Sequence, residues 1–123
     1  MIIQELCNYL NSQDIKARVI DEKSIRIDYD TLPIYLLVEL RDGKYLYISI
    51  RYEDHLRDVL EDLHEGGENI EDVVEEALSY LSEISLRIRK WSEPRGLITV
   101  FKLKEGSVEL LDMVEELKQE LGE

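Results

Sequence analysis

Cysteine is almost missing from this chain of 123 residues: Cys7 stands alone, which excludes an internal disulfide and fits a reducing interior. Amides are sparse too, with Asn8, Asn11, Asn69, Gln4, Gln13 and Gln119 the full set. Scarce amides beside 35% charged residues is the bias of heat-adapted proteins. No apolar run approaches the roughly 20 residues that cross a bilayer. Met1-Ile2-Ile3-Gln4-Glu5 lacks the basic start and long apolar core of a secretory signal, so a soluble, cytoplasmic protein is expected. There is no internal repeat, low-complexity segment or linker. Basic charge is also in short supply. The net charge of −13 sets a repulsive field against phosphate, which makes nucleic acid an unlikely partner.

What is present suits one folded unit. Hydrophobic residues make up 44% of the chain, and its length suits one domain, residues 1–123, with a sizeable core. The charge is unevenly spread. Residues 53–83 hold twelve acidic groups and one basic, whereas residues 84–104 hold six basic groups and only Glu93 as an acid. That basic island offers Arg87, Arg89, Lys90 and Arg95 as a candidate patch for an acidic stripe on a partner.

Ile2, Ile3, Leu6, Cys7 and Leu10 recur at helical spacing, and Asn11-Ser12 closes that helix. Ile15, Ala17 and Val19 alternate with basic residues, as Ile25, Ile27 and Tyr29 alternate with Arg26 and Asp28. The two runs read as strands pairing Val19 with Ile25, Ala17 with Ile27 and Ile15 with Tyr29 about the three-residue turn Asp21-Glu22-Lys23. Pro33 marks the start of the next strand, because it cannot donate to a ladder. Ile34–Arg41 and Lys44–Arg51 then form a hairpin about Asp42-Gly43, a strong two-residue turn signal. That turn opposes Leu40 to Tyr45, Val38 to Tyr47, Leu37 to Ile48 and Tyr35 to Ile50. One face then carries Leu36, Val38, Leu40, Tyr45 and Tyr47, and the other Tyr35, Leu37, Leu46, Ile48 and Ile50. A hairpin with no wet face needs a second cover: a helix of its own chain, another copy or a ligand.

Downstream, Glu53-Asp54 opens a helix carrying Leu56, Val59, Leu60 and Leu63, and Gly66-Gly67 stops it. Asn69 caps the next helix. Ile70, Val73, Val74, Ala77, Leu78, Leu81, Ile84, Ile88 and Trp91 form its single stripe. A hairpin about Glu93-Pro94-Arg95-Gly96, opposing Leu86 to Leu103 and Ile88 to Phe101, is the competing reading. The helix is preferred because Trp91 extends the stripe. Leu97–Leu103 is a strand, Lys104-Glu105-Gly106 a turn, and Ser107 the cap of a last helix buried through Leu110, Leu111, Val114, Leu117 and Leu121. The expected class is α+β, an antiparallel sheet packed by amphipathic helices in the order αββββααβα.

No stretch carries catalytic or metal chemistry. His55 and His64 are nine residues apart on one helix and point to nearly opposite sides; Asp58 is the one nearby second ligand for His55. The run Glu61-Asp62-Leu63-His64-Glu65 is a solvated helix end. Cys7 lies on an apolar stripe with no basic neighbour to activate it. Gly66-Gly67 follows a helix and lacks the lysine of a phosphate loop. No cofactor, metal or catalytic residue is assigned. Tyr35, Tyr45, Tyr47 and Tyr52 cluster in the hairpin, and tyrosine is enriched both in strands and at interfaces.

The order Ile2–Asn11, Lys16–Ile20, Ser24–Tyr29, Ile34–Arg41, Lys44–Arg51, Ile70–Trp91, Leu97–Leu103, Ser107–Leu121, with the size and acidity, resembles the specialised type III secretion chaperones and the related YbjN-like proteins. The resemblance implies a small, acidic, homodimeric α+β protein. The expectation is therefore a non-enzymatic, homodimeric adaptor or chaperone-like protein that buries Leu36, Val38, Leu40, Tyr45 and Tyr47 against its copy or a peptide partner. The alternatives are a ligand or enzymatic pocket between sheet and helices, with Arg51, His55 or Tyr52 at its mouth, and a regulator acting on nucleic acid through residues 87–104.

Overall fold

The computed structural model describes residues 1–122. Its elements are α1 (Ile2–Ser12), β1 (Ala17–Asp21), β2 (Ser24–Asp28), β3 (Ile34–Arg41), β4 (Tyr45–Tyr52), α2 (Leu56–Glu65), α3 (Ile70–Ser92), β5 (Ile98–Lys102) and α4 (Leu103–Glu120), with a single 3-10 turn at Glu93–Arg95. The α+β class and the element order are those expected. The five strands lie in sequence order across one sheet. The first four run antiparallel and β5 runs parallel to β4, so the sheet is mixed rather than wholly antiparallel. A parallel neighbour needs a crossover, and α2 with α3 provides it.

The helical reading of residues 84–91 holds. Trp91 is buried at the end of α3, stacked by the Tyr9 ring of α1 with centroids 6.2 Å apart. Arg95 lies 4.0 Å over the other part of the same indole and donates to the Trp91 carbonyl at 2.7 Å. Gly96 then takes a left-handed φ of 74°, which lets the chain turn out of the helix into β5. At the other end of α3, the Asn69 side chain accepts from the Asp72 N–H at 3.2 Å, as a cap should.

In the first hairpin, Ala17 faces Ile27 and Val19 faces Ile25, as the apolar alternation requires, but Asp21 pairs with Ser24 about Glu22-Lys23. The expected Ile15–Tyr29 pair does not form, because Ile15 N–H bonds the Leu10 carbonyl and Tyr29 N–H the Ile34 carbonyl. The turn closes without glycine because the ladder shifts between Val19 and Asp21, and the Asp21 carboxylate accepts from the Lys23 N–H at 2.9 Å.

The second hairpin departs from expectation by one residue. Asp42 and Gly43 do take positive φ, 54° and 69°, and Lys44 N–H closes the turn on the Arg41 carbonyl at 3.2 Å. Lys44 itself is left out of the β3–β4 ladder, and its carbonyl accepts from Ile98 N–H of β5 at 2.8 Å. Pairing resumes with Arg41 opposite Tyr45, Leu40 opposite Leu46, Val38 opposite Ile48 and Leu36 opposite Ile50. A slip of one residue turns every β4 side chain to the other face. The energetics favour it. The observed register puts all six of Leu36, Val38, Leu40, Leu46, Ile48 and Ile50 on one side, whereas the expected one divides them three to each face.

That aliphatic side is the core. Leu36, Val38, Leu46 and Ile48 are 0% exposed, in one cluster with Ile25 and Ile27 of β2, Leu6 and Leu10 of α1, Leu81 and Ile88 of α3, and Leu110 and Leu117 of α4. α1 lies over β1 and β2, α3 over β3 and β5, and α4 over β4, while α2 packs on α3 and α4.

The last helix starts at Leu103, so Gly106 is inside α4 rather than in a turn before it. A Cβ at Gly106 would sit 2.4 Å from the Ile50 carbonyl oxygen. The glycine is there to let α4 touch the backbone of β4 where β5 has ended.

Candidate functional site

With the helices on one face, the register displays a fixed set of side chains on the other. Four rows cross the sheet: Asp28, Tyr35 and Arg51; Arg26, Leu37, Ser49 and Lys102; Ser24, Glu39, Tyr47 and Val100; and Arg41, Tyr45 and Ile98. Tyr35, Leu37, Tyr45, Tyr47 and Val100 are half-buried and Ile98 is exposed. Lateral neighbours cover them in part, and no helix lies over them.

Cations lie along the rings of this face. The Arg26 guanidinium is 3.7 Å from the Tyr35 centroid, that of Arg41 is 4.1 Å from Tyr47, and the Lys44 ammonium is 5.0 Å from Tyr45. Such stacking covers the ring while keeping the charge hydrated at its edge. Arg26 is the best held. Its side chain is 17% exposed and donates to Asp28 at 2.7 Å and to Glu53 at 2.5 Å. Burial opposes its charge, but the bonds to Asp28 and Glu53 outweigh that and keep its pKa above the ordinary arginine value. Arg41 sits 3.4 Å from Glu39. The middle of the face is apolar, and both signs of charge stand around it with the basic groups in excess.

The set expected as one contact surface, Leu36, Val38, Leu40, Tyr45 and Tyr47, divides between the two sides. Leu36 and Val38 are wholly roofed by the chain's own helices, and Leu40 packs half-buried at the rim of the core. Tyr45 and Tyr47 belong to the open face, where Tyr35 and Leu37 join them. The bulged Lys44 is the cause. The basic set Arg87, Arg89, Lys90 and Arg95 does not converge either. Arg87 lies by Gln13, Ile15 and Tyr80, and Arg89 faces Phe101 and pairs with Glu93 at 2.8 Å. Arg95 is engaged on Trp91, and Lys90 is exposed. Arg26, the most firmly built polar residue of the face, escaped sequence reasoning; its signal was a basic residue flanked by Ile25 and Ile27, two before Asp28.

Surface hollows lie at the margins of the sheet. One, about 610 Å³, separates the two hairpin turns at Asp21–Ser24 and Glu39–Asp42. A second, about 340 Å³, lies between the open face and the first turns of α4. There Arg41, Arg51 and Lys102 stand against Glu39, Glu105 and Glu109, with Tyr47 and Ser49 between. Beside it the Tyr52 hydroxyl donates to Glu109 at 2.9 Å, and burial together with that carboxylate raises its pKa above the ordinary tyrosine value. His55 is exposed at the start of α2, and His64 is half-buried in its last turn. Cys7 is buried, its thiol directed at the Ala17 carbonyl 3.5 Å away. Among the described residues no three of His, Cys, Asp and Glu gather to hold a metal, and no helix is long and apolar enough to cross a membrane.

Comparison of the chain with protein-family models, with curated proteins and with solved structures finds no match. The likeness to secretion chaperones rests on element order, size and acidity alone.

Proposed function

We propose that this chain is a non-catalytic, homodimeric protein-binding protein of the adaptor or chaperone-like kind, and that its copies meet through the open face of the sheet. One observation carries the reading: Tyr35, Leu37, Tyr45 and Tyr47 make a diagonal, half-buried band on the face of the sheet opposite the aliphatic core. Such bands on small proteins serve as contact surfaces. A second copy suits it by charge. A twofold contact brings a patch against itself, so the patch must be self-complementary. Arg26 with Asp28 and Glu53, and Arg41 with Glu39, give each end of the band both signs. A reducing, cytoplasmic setting suits the lone buried thiol of Cys7.

The test is Tyr47→Lys, followed by sedimentation over a dilution series. Tyr47 is outside the core, so the variant folds; the reading expects it to sediment as a single chain at concentrations where the unaltered protein is paired. Equal sedimentation of the two proteins as pairs would move the contact elsewhere.

A further inference from the structure

The two edges of the sheet are treated differently. At the β1 edge, the Asn11 side chain donates to the Ala17 carbonyl at 3.0 Å and accepts from the Ala17 N–H at 3.3 Å, so a side-chain amide occupies the place of a neighbouring strand. The ladder irregularity between Val19 and Asp21 bends the rest of that edge. Both are ways of blunting an edge. β5 has neither. Its pairing with β4 is regular over Ile98–Lys102. Ile98 N–H turns inward to Lys44, and parallel ladders bond alternate residues, so Thr99 and Phe101 direct their N–H and C=O groups outward. The Ile98 and Phe101 side chains are 49% and 38% exposed and straddle the edge on opposite faces. Between this edge and the last turns of α3 runs a groove of about 380 Å³, walled by Arg89 and Glu93 on one side and by Leu97, Thr99 and Phe101 on the other. A free strand edge beside a helix-walled groove is the geometry in which extended peptides add to sheets.

We propose that the β5 edge accepts an acidic, extended segment of a partner protein as a sixth strand. Backbone groups of Thr99 and Phe101 supply the pairing. One apolar side chain of the segment enters the groove by Phe101, and the next but one lies there too, while the intervening residue rests beside Ile98. Charge selects the sign. This edge belongs to the basic stretch 84–104, whose one acid, Glu93, is neutralised by Arg89, while Lys90, Lys102 and Lys104 have no carboxylate partner among the described residues. A second copy does not fit here. Two β5 edges joined antiparallel about Val100 would set Thr99 against Phe101 and Lys102 against Ile98, so neither lysine would meet a carboxylate across the seam. The inference rests on the protein-binding reading above but not on its dimer contact.

The probe is a pool of fluorescein-labelled hexapeptides in which Asp or Glu alternates with Val, Ile or Thr, followed by anisotropy. A second pool carries Lys or Arg in place of the acids. The acidic pool is expected to bind and the basic pool not. Thr99→Pro deletes one outward N–H and leaves the ladder to β4 intact, and should weaken binding about fivefold or more with unchanged circular dichroism. Methylating the peptide's own backbone nitrogens should abolish binding without touching the protein, which keeps the test sound should the proline variant fail to fold. No binding of the acidic pool, equal binding of the basic pool, or indifference to both backbone changes overturns the proposal. The sedimenting mass of the same samples separates the two readings. Paired chains that ignore the peptides sink this inference alone, and single chains that bind them sink the dimer alone. Pairing abolished by Thr99→Pro would assign the edge to a second copy and overturn it as well.

Discussion

Gly106→Ala is a one-carbon change whose sign depends on how α4 is seated. In a free helix alanine is better than glycine by about 1 kcal/mol, so a helix resting loosely on the sheet would be stabilised. Here the new Cβ would stand 2.4 Å from the Ile50 carbonyl oxygen, 3.0 Å from its Cβ and 3.1 Å from its carbonyl carbon. Two of the three atoms are backbone in the middle of a ladder and cannot rotate aside. Ordinary contact begins near 3.4 Å, so α4 must withdraw by about 1 Å, and a gap of that size forfeits about a quarter to a half of each dispersion contact behind it. The contacts affected are those of Leu110, Val114 and Leu117, at most 2% exposed. Overpacking strain of about 1–3 kcal/mol with those losses exceeds the helix gain, for a net destabilisation of about 2 kcal/mol. With about 2.1 cal/mol/K of unfolding entropy per residue, that lowers Tm by about 8 °C over 123 residues. Thermal and urea unfolding followed by circular dichroism measure it, with Ser107→Ala as the neighbouring control. An unchanged or raised Tm for Gly106→Ala would refute the close seating of α4 on β4.

Neighbouring residues of β3 should respond oppositely to lysine. Val38→Lys places an unpaired charge in a fully buried site and should abolish the cooperative transition, whereas Leu37→Lys, on the open face, should keep a cooperative transition and lose only what the contact between copies contributes; loss of the transition in both would show the β3 faces misassigned. Asn11→Ala removes both bonds to Ala17 and should cost about 1–2 kcal/mol in urea unfolding and increase light scattering on heating, as the β1 edge is opened. Tyr52 should mark the alkaline limb of stability. Its native pKa is raised above the ordinary value of 10.0, so its contribution is complete below that pH and is lost as pH rises through the native value. Stability of the parent protein should therefore fall more steeply above about pH 10 than that of Tyr52→Phe, and parallel curves would remove Tyr52 from the account.

Much of this architecture is legible in the sequence because it depends on local periodicity. The stripe from Ile70 to Trp91 is long enough to outvote the Glu93–Gly96 turn signal, and alternation in Ala17–Val19 and Ile25–Ile27 sets the first hairpin's register. What was misread depends on partners distant in the chain. Asp42-Gly43 forms the tight turn its composition announces, yet Lys44 stays out of the β3–β4 ladder with its carbonyl on Ile98, and the one-residue slip exchanges Tyr45 and Tyr47 with Leu46 and Ile48 between faces. Gly106 looks like a turn because a glycine in a helix has no local reason; its reason is the backbone of Ile50. The parallel course of β5 and its unblocked edge are likewise tertiary, and nothing in the composition of Ile98–Lys102 distinguishes a covered edge from a free one.

The central claim is that the band of Tyr35, Leu37, Tyr45 and Tyr47 is covered by another copy of the chain. Light scattering on the unaltered protein at micromolar concentration measures this directly. The account predicts twice the 14.5 kDa mass of one chain. A mass of 14.5 kDa that persists as the concentration is raised would contradict it.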